Sequence, residues 1–196
     1  MSSGENSIEV KATDDATNVN MATIMVHQDQ VPPALDITSP DDGHITDQGM
    51  VQVTVASDDD AMVWLNGRML QETGTVTRSV LLVEGENVIT ARAVDPAGNE
   101  AVVTITVIRD TEPPSLVITT PDVMELMTNA ANLDVEGIAL KATSVTAGGV
   151  NADLDEDTGV FTVSVPLSVG ENNITVEASD GVNVASQIIH VMVSRT

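Results

Sequence analysis

The chain has 196 residues, with 30 Asp or Glu against 7 Lys or Arg and a formal net charge of −23. A surface this acidic repels nucleic-acid phosphates and anionic lipid, which excludes nucleic-acid binding and attachment to anionic membranes. No apolar run reaches the roughly 18 residues of a membrane span, and there is no cysteine to staple the fold or act as a nucleophile.

Gly4-Glu5-Asn6 opens the first predicted strand, in which Ile8, Val10 and Ala12 alternate with Glu9, Lys11 and Thr13 up to Asp14. Period two with one apolar face marks a half-buried antiparallel strand. Residues 1–30 contain only two such strands, the last two of a longer unit, and a lone hairpin is marginally stable in water. The expectation is that a longer polypeptide was cut here. The alternative is that a neighbouring chain supplies the missing strands.

From 31 to 112 the pattern predicts seven strands, at 35–38, 51–56, 61–65, 68–70, 75–83, 87–94 and 101–108, rich in the Val, Ile and Thr that pleated surfaces favour. Asn66-Gly67 between two of them is a hairpin turn signal, because both residues tolerate positive φ. Gly148-Gly149 takes that place in the next unit. The opening motif returns as Gly85-Glu86-Asn87 and Gly170-Glu171-Asn172. Likewise Pro32-Pro33 with Leu35-Asp36-Ile37-Thr38-Ser39-Pro40 returns as Pro113-Pro114 with Leu116-Val117-Ile118-Thr119-Thr120-Pro121. Such repetition signals an array of small domains. The units read as 1–30, incomplete, then 31–112 and 113–196. Seven short strands in a unit of about 80–100 residues indicate an all-β, immunoglobulin-like sandwich, here in tandem.

Pro-Pro-x-Leu-x-Ile-Thr-x-Pro, Val63-Trp64-Leu65-Asn66-Gly67, Glu84-Gly85-Glu86-Asn87 and Asp95-Pro96-Ala97-Gly98-Asn99 resemble the bacterial and archaeal Ig-like repeats of the glucodextranase domain-B type. The likeness runs along the whole chain, is best over 31–112, and departs from the pattern at Asp180-Gly181-Val182-Asn183. It implies an extracellular or cell-surface location and a non-catalytic module, as in cell-surface proteins, adhesins and secreted hydrolases.

In such a sandwich the loops at 57–60, 71–74 and 95–99 gather beside the linker at 28–31. Asp29, Asp58, Asp59, Asp60, Asp95 and Asn99 are therefore candidate ligands of Ca²⁺, which takes six to eight hard oxygens. In the following unit Asp153-Leu154-Asp155-Glu156-Asp157-Thr158-Gly159 resembles the first half of an EF-hand loop. Ser164 stands where that loop needs a glutamate, and Asp110, Glu112 and Asp180 are the candidates to complete the set. Plainer readings compete: aspartates capping turns through their own side chains, acidity that keeps a halophile's protein soluble, and a surface that is simply well solvated. The linkers agree in phase, His27 to Pro33 matching Ile108 to Pro114, and their prolines stiffen the joints.

His27, His44 and His190 lack the spacing of a metal site, and no Ser/His/Asp grouping supports nucleophilic catalysis. The two aromatics are Trp64 and Phe161. Phe161 is in phase with Val163 and Val165, a core position. Trp64 alternates with Val63 and Leu65, which suits packing in the core or a groove, or stacking against a sugar. Asn173-Ile174-Thr175 is a glycosylation sequon. The expected function is a structural extracellular array, a stalk, adhesin shaft or filament subunit, with Ca²⁺ as an optional stiffener and other repeats or neighbouring subunits as partners. The alternative is a carbohydrate-binding accessory module of a secreted hydrolase, with glycans as partners.

Overall fold

The computed structural model describes residues 3–194. Every regular element among them is a β-strand, and the strands build tandem immunoglobulin-like sandwiches. Two compact units result: residues up to His44 with Gly49–Ile108, and Ile45–Gln48 with residues from Arg109 onward. No helix among the described residues is long and apolar enough to cross a membrane.

The first unit begins with a hairpin, β1 (Gly4–Thr13) and β2 (Val19–Gln28), which forms a two-stranded sheet of its own. Its register sets Ile8 opposite Ile24 and Val10 opposite Ala22, so these four share one face, while Val19, Met21 and Met25 fall on the other.

The sandwich of residues 35–109 follows: β3 (Leu35–Ser39), β4 (His44–Thr46), β5 (Met50–Ser57), β6 (Met62–Leu65), β7 (Arg68–Met69), β8 (Thr75–Leu81), β9 (Gly85–Val94) and β10 (Glu100–Arg109). One sheet has the order β3-β5-β8, the other β4-β10-β9-β6-β7. Asn66 and Gly67 join β6 to β7 with φ of 48° and 76°, as a two-residue turn matched to strand twist requires. The expected alternation packs the core: Ile89, Ala91 and Ala93 of β9 are fully buried against Ile37, Val53 and Val55 of the facing sheet. Each fully buried Val or Ile contributes about 1.5–3 kcal/mol. The His44–Thr46 strand is additional to the seven read from the sequence.

The second unit contains β11 (Val117–Thr120), β12 (Glu125–Thr128), β13 (Asn132–Ile138), β14 (Ser144–Ala147), β15 (Val150–Asn151), β16 (Asp153–Leu154), β17 (Val160–Pro166), β18 (Gly170–Ser179) and β19 (Val184–Val193). Its sheets are β11-β13-β17-β16 and β12-β19-β18-β14-β15. β12 runs parallel to β19, whereas β18 and β19 form an antiparallel hairpin. Phe161 is fully buried with Val135, Val176 and Ile189, the core position its phase indicates.

Candidate functional site

In the first unit β7 ends one sheet and β8 ends the other. The sandwich is open along that side, where a groove of about 570 Å³ lies between them. Leu70 and Val80 give it apolar surface, while Arg68, Gln71, Glu72 and Arg78 supply donors and acceptors. Arg78 is ion-paired with Glu72 and also donates to the Thr77 carbonyl at 2.8 Å. The hydrogen bond from Arg78 holds the Glu72 carboxyl below its ordinary value.

Trp64 does not line this groove, but it is paired across the sheet with Met69, which does. On β6 it lies between the buried Val63 and Leu65, so its side chain is on the outer face of the sheet and half-buried. Across the sheet it faces groove-lining Met69 on one side and Arg92 on the other. The Arg92 guanidinium sits 4.8 Å from the indole centroid, a cation–π distance. Arg92 is fixed there by paired bonds of 2.6 and 2.7 Å to Glu100, which raise the pKa of the guanidinium and lower that of the carboxyl. Arg92, Arg78 and the groove itself were not singled out from the sequence.

The candidate metal ligands are mostly engaged in turns. Asp29 accepts from Val31 N at 3.0 Å, and Asp58 accepts from Ala34 N at 2.7 Å. The loops at 57–60 and 71–74 do meet: Ser57 N donates to Gly74 O at 3.1 Å, and Asp59 Oδ1 lies where a Gly74 side chain would begin. Asp60 is exposed at the end of its loop. Asp95, only 8% exposed, accepts from Asn99 N and Asn99 Nδ2, both at 2.8 Å. These bonds, the side-chain one foremost, hold its carboxyl below the usual aspartate range.

In the second unit Asp110 accepts from Glu112 N at 3.0 Å, while Glu112 binds Lys141 Nζ at 2.8 Å. The Lys141 ammonium is held charged by Glu112 first, then by the carboxylates of Asp110 and Asp180. Asp180 accepts from Val182 N and Asn183 N at 2.8 and 2.6 Å, and Asn183 donates onward to Asp110 O at 3.1 Å. Asp155 accepts from Asp157 N and Thr158 N at 3.0 and 3.2 Å, whereas Asp153 lies on β16 opposite Thr162. Among the described residues no group of three or more acidic or histidine side chains is placed to hold a metal ion. Asn173 of the sequon is exposed on β18, its Oδ1 2.7 Å from His190 Nδ1.

One relationship recurs in both linkers. The turn in which Asp29 accepts from Val31 N is repeated in that of Asp110 with Glu112 N, at the same 3.0 Å, each followed by a Pro-Pro pair.

Residues 33–111 match the family described as glucodextranase, domain B. This is a glucodextranase domain-B-like region.

Among solved structures, the fibronectin(III)-like modules of Clostridium thermocellum CbhA superpose with a TM-score of 0.55 at 15% identity, over 82% of this chain and 94% of that one. An I-band fragment of titin superposes with a TM-score of 0.50 at 16% identity, over 84% of this chain and 66% of that one. Likeness at this identity is a likeness of fold. No curated protein sequence matches the chain.

Proposed function

We propose that the chain is a non-catalytic accessory region of a secreted protein acting on carbohydrate, and that its 31–112 domain binds a neutral polysaccharide. The observation that carries this reading is the open groove between β7 and β8, with half-exposed Trp64 paired to its lining residue Met69. A sugar ring offers an apolar C–H face for an indole and hydroxyls for Gln71, Glu72 and Arg78, a combination of apolar wall and few polar groups that suits small-ligand sites. The likeness of residues 33–111 to glucodextranase, domain B supports a saccharide as the ligand class. A net charge of −23 favours a neutral polymer over an anionic one. An extracellular location belongs to the same proposal.

The test is a glycan array together with affinity electrophoresis through a dextran-containing gel. Wild type is retarded, Gln71→Ala less so, and Trp64→Ala least. Absence of retardation and of array binding in wild type contradicts the reading.

A spacer role in a longer array is the second reading, favoured by the identical Asp-anchored turn in the two Pro-Pro linkers. Calcium at the linker poles is a further proposal attached to it. Melting at fixed ionic strength with Ca²⁺ and with EDTA checks it: a saturable rise in Tm supports a site, and equal curves remove it.

A further inference from the structure

The β1–β2 hairpin reproduces the closing hairpin of a sandwich. Its two strands have ten residues each, as do β9 and β10, and β18 and β19. Its turn repeats the β9–β10 turn bond for bond. Asn18 N and Asn18 Nδ2 donate to the Asp14 carboxylate at 2.8 Å each, as Asn99 does to Asp95 at 2.8 Å each. Asp14 N donates to Asn18 O at 3.1 Å, as Asp95 N does to Asn99 O at 3.1 Å.

What differs is the cover. Ile89 and Ala91 are 0% exposed, while their sequence counterparts Ile8 and Val10 are 37% and 54% exposed. On the second strand Ile105 is 7% exposed and its counterpart Ile24 is 57% exposed. The β9–β10 pair is flanked by β6 and β4 and faced by β3-β5-β8, whereas β1–β2 is a sheet of two.

We infer that the face carrying Ile8, Val10, Ala12, Ala22 and Ile24 is a docking surface for an Ig-like segment that lacks its own closing hairpin, the equivalent of β3 to β8 of this chain. Both complete sandwiches cover the same hairpin face in this way, with strands along its edges and a second sheet across it. Strand addition extends the β1–β2 pair along its edges, and the second sheet covers the apolar row. A second copy of the chain fits less well. Its own β9–β10 and β18–β19 already fill its sandwiches, so it has edge strands to offer but no uncovered second sheet to lay across the apolar row. The inference is independent of the carbohydrate reading.

The test mixes the full chain with a polypeptide of the sequence 33–81 and follows hydrogen exchange of amides 5–27. A parallel sample carries that sequence fused ahead of Met1, which restores the 81-residue spacing of Glu5 and Glu86 and does not rely on the free segment staying folded. Slowing of the hairpin amides by on the order of tenfold or more in either sample, lost in Ile8→Asp/Ile24→Asp while β18 amides are unchanged, is the expected result. Unprotected hairpin amides in the fusion overturn the proposal. So does protection that arises in the chain alone with rising concentration, which marks a second copy as the occupant.

Discussion

Gly137 on β13 lies directly opposite Phe161 on β17, and the phenyl ring fills the space that a side chain at 137 would take. A Cβ built on Gly137 would lie 2.6 Å from Phe161 Cε1 and would also clash with the Val117 carbonyl. The lone phenylalanine of the chain thus reaches the core centre of the second unit because its partner has no side chain. Phe161→Ala is expected to cost about 3–5 kcal/mol through the cavity it leaves. Gly137→Ala is expected to cost about 1–3 kcal/mol through overpacking. Urea unfolding followed by circular dichroism measures both.

Asp95 makes stability depend on acid. Asn99 bonds to the charged carboxylate and lowers its pKa in the folded state. A group lowered in this way stabilises fully above its unfolded value of about 3.9, and that contribution is lost as pH falls through the folded value. Asp14, Asp155 and Asp180 act in the same direction, Asp14 through Asn18 and the other two chiefly through backbone N–H groups. The Tm should be flat above about pH 5 and fall below about pH 4. Asp95→Ala should lower the Tm at neutral pH and make the acid decline shallower. An unchanged decline would show that Asp95 is not among the responsible groups.

Lys141 makes the opposite contribution at high pH. Glu112, and behind it Asp110 and Asp180, raise its pKa in the folded state. Its contribution is complete below the unfolded lysine value of about 10.4 and disappears as pH rises through the folded value. Glu112→Gln should bring the Lys141 titration, read by NMR at the side chain, back towards the ordinary lysine value.

The β1–β2 turn holds Thr17 at a φ of 65°, in the place taken by Gly98 at 91° in the β9–β10 turn. A β-branched residue in the left-handed region costs about 1–2 kcal/mol. Thr17→Gly should therefore slow exchange of the Asn18 amide, and Gly98→Thr should lower global stability by about the same 1–2 kcal/mol. Opposite outcomes for the pair would contradict the equivalence of the two turns.

The fold was legible where period two coincides with one buried face. Ile89, Ala91 and Ala93 in β9, and Ile174, Val176 and Ala178 in β18, are buried as their alternation indicates. The Asn66-Gly67 turn was legible because backbone strain there limits the residue choice. The strands His44–Thr46 and Glu125–Thr128 were not. They are too short to display a period, and the pairing of Glu125–Thr128 with β19 comes from the far end of its unit.

For the candidate site, sequence could name charged residues but not their partners. Asp95 with Asn99 was readable as turn chemistry because both ends lie in one loop. Lys141 reaches Glu112 from a turn distant in sequence, and Arg92 reaches Trp64 through strand pairing, contacts that no local pattern reports. The groove depends on which strands end up at the two sheet edges, information held in the topology.

The most direct test of the central claim is retardation of the wild-type chain by dextran and its binding to a glycan array, compared with Trp64→Ala and Gln71→Ala. The account predicts saturable binding of a neutral polysaccharide that both substitutions weaken while the Gln71→Ala melting curve stays unchanged. No saccharide bound by wild type, or binding indifferent to both substitutions, would contradict it.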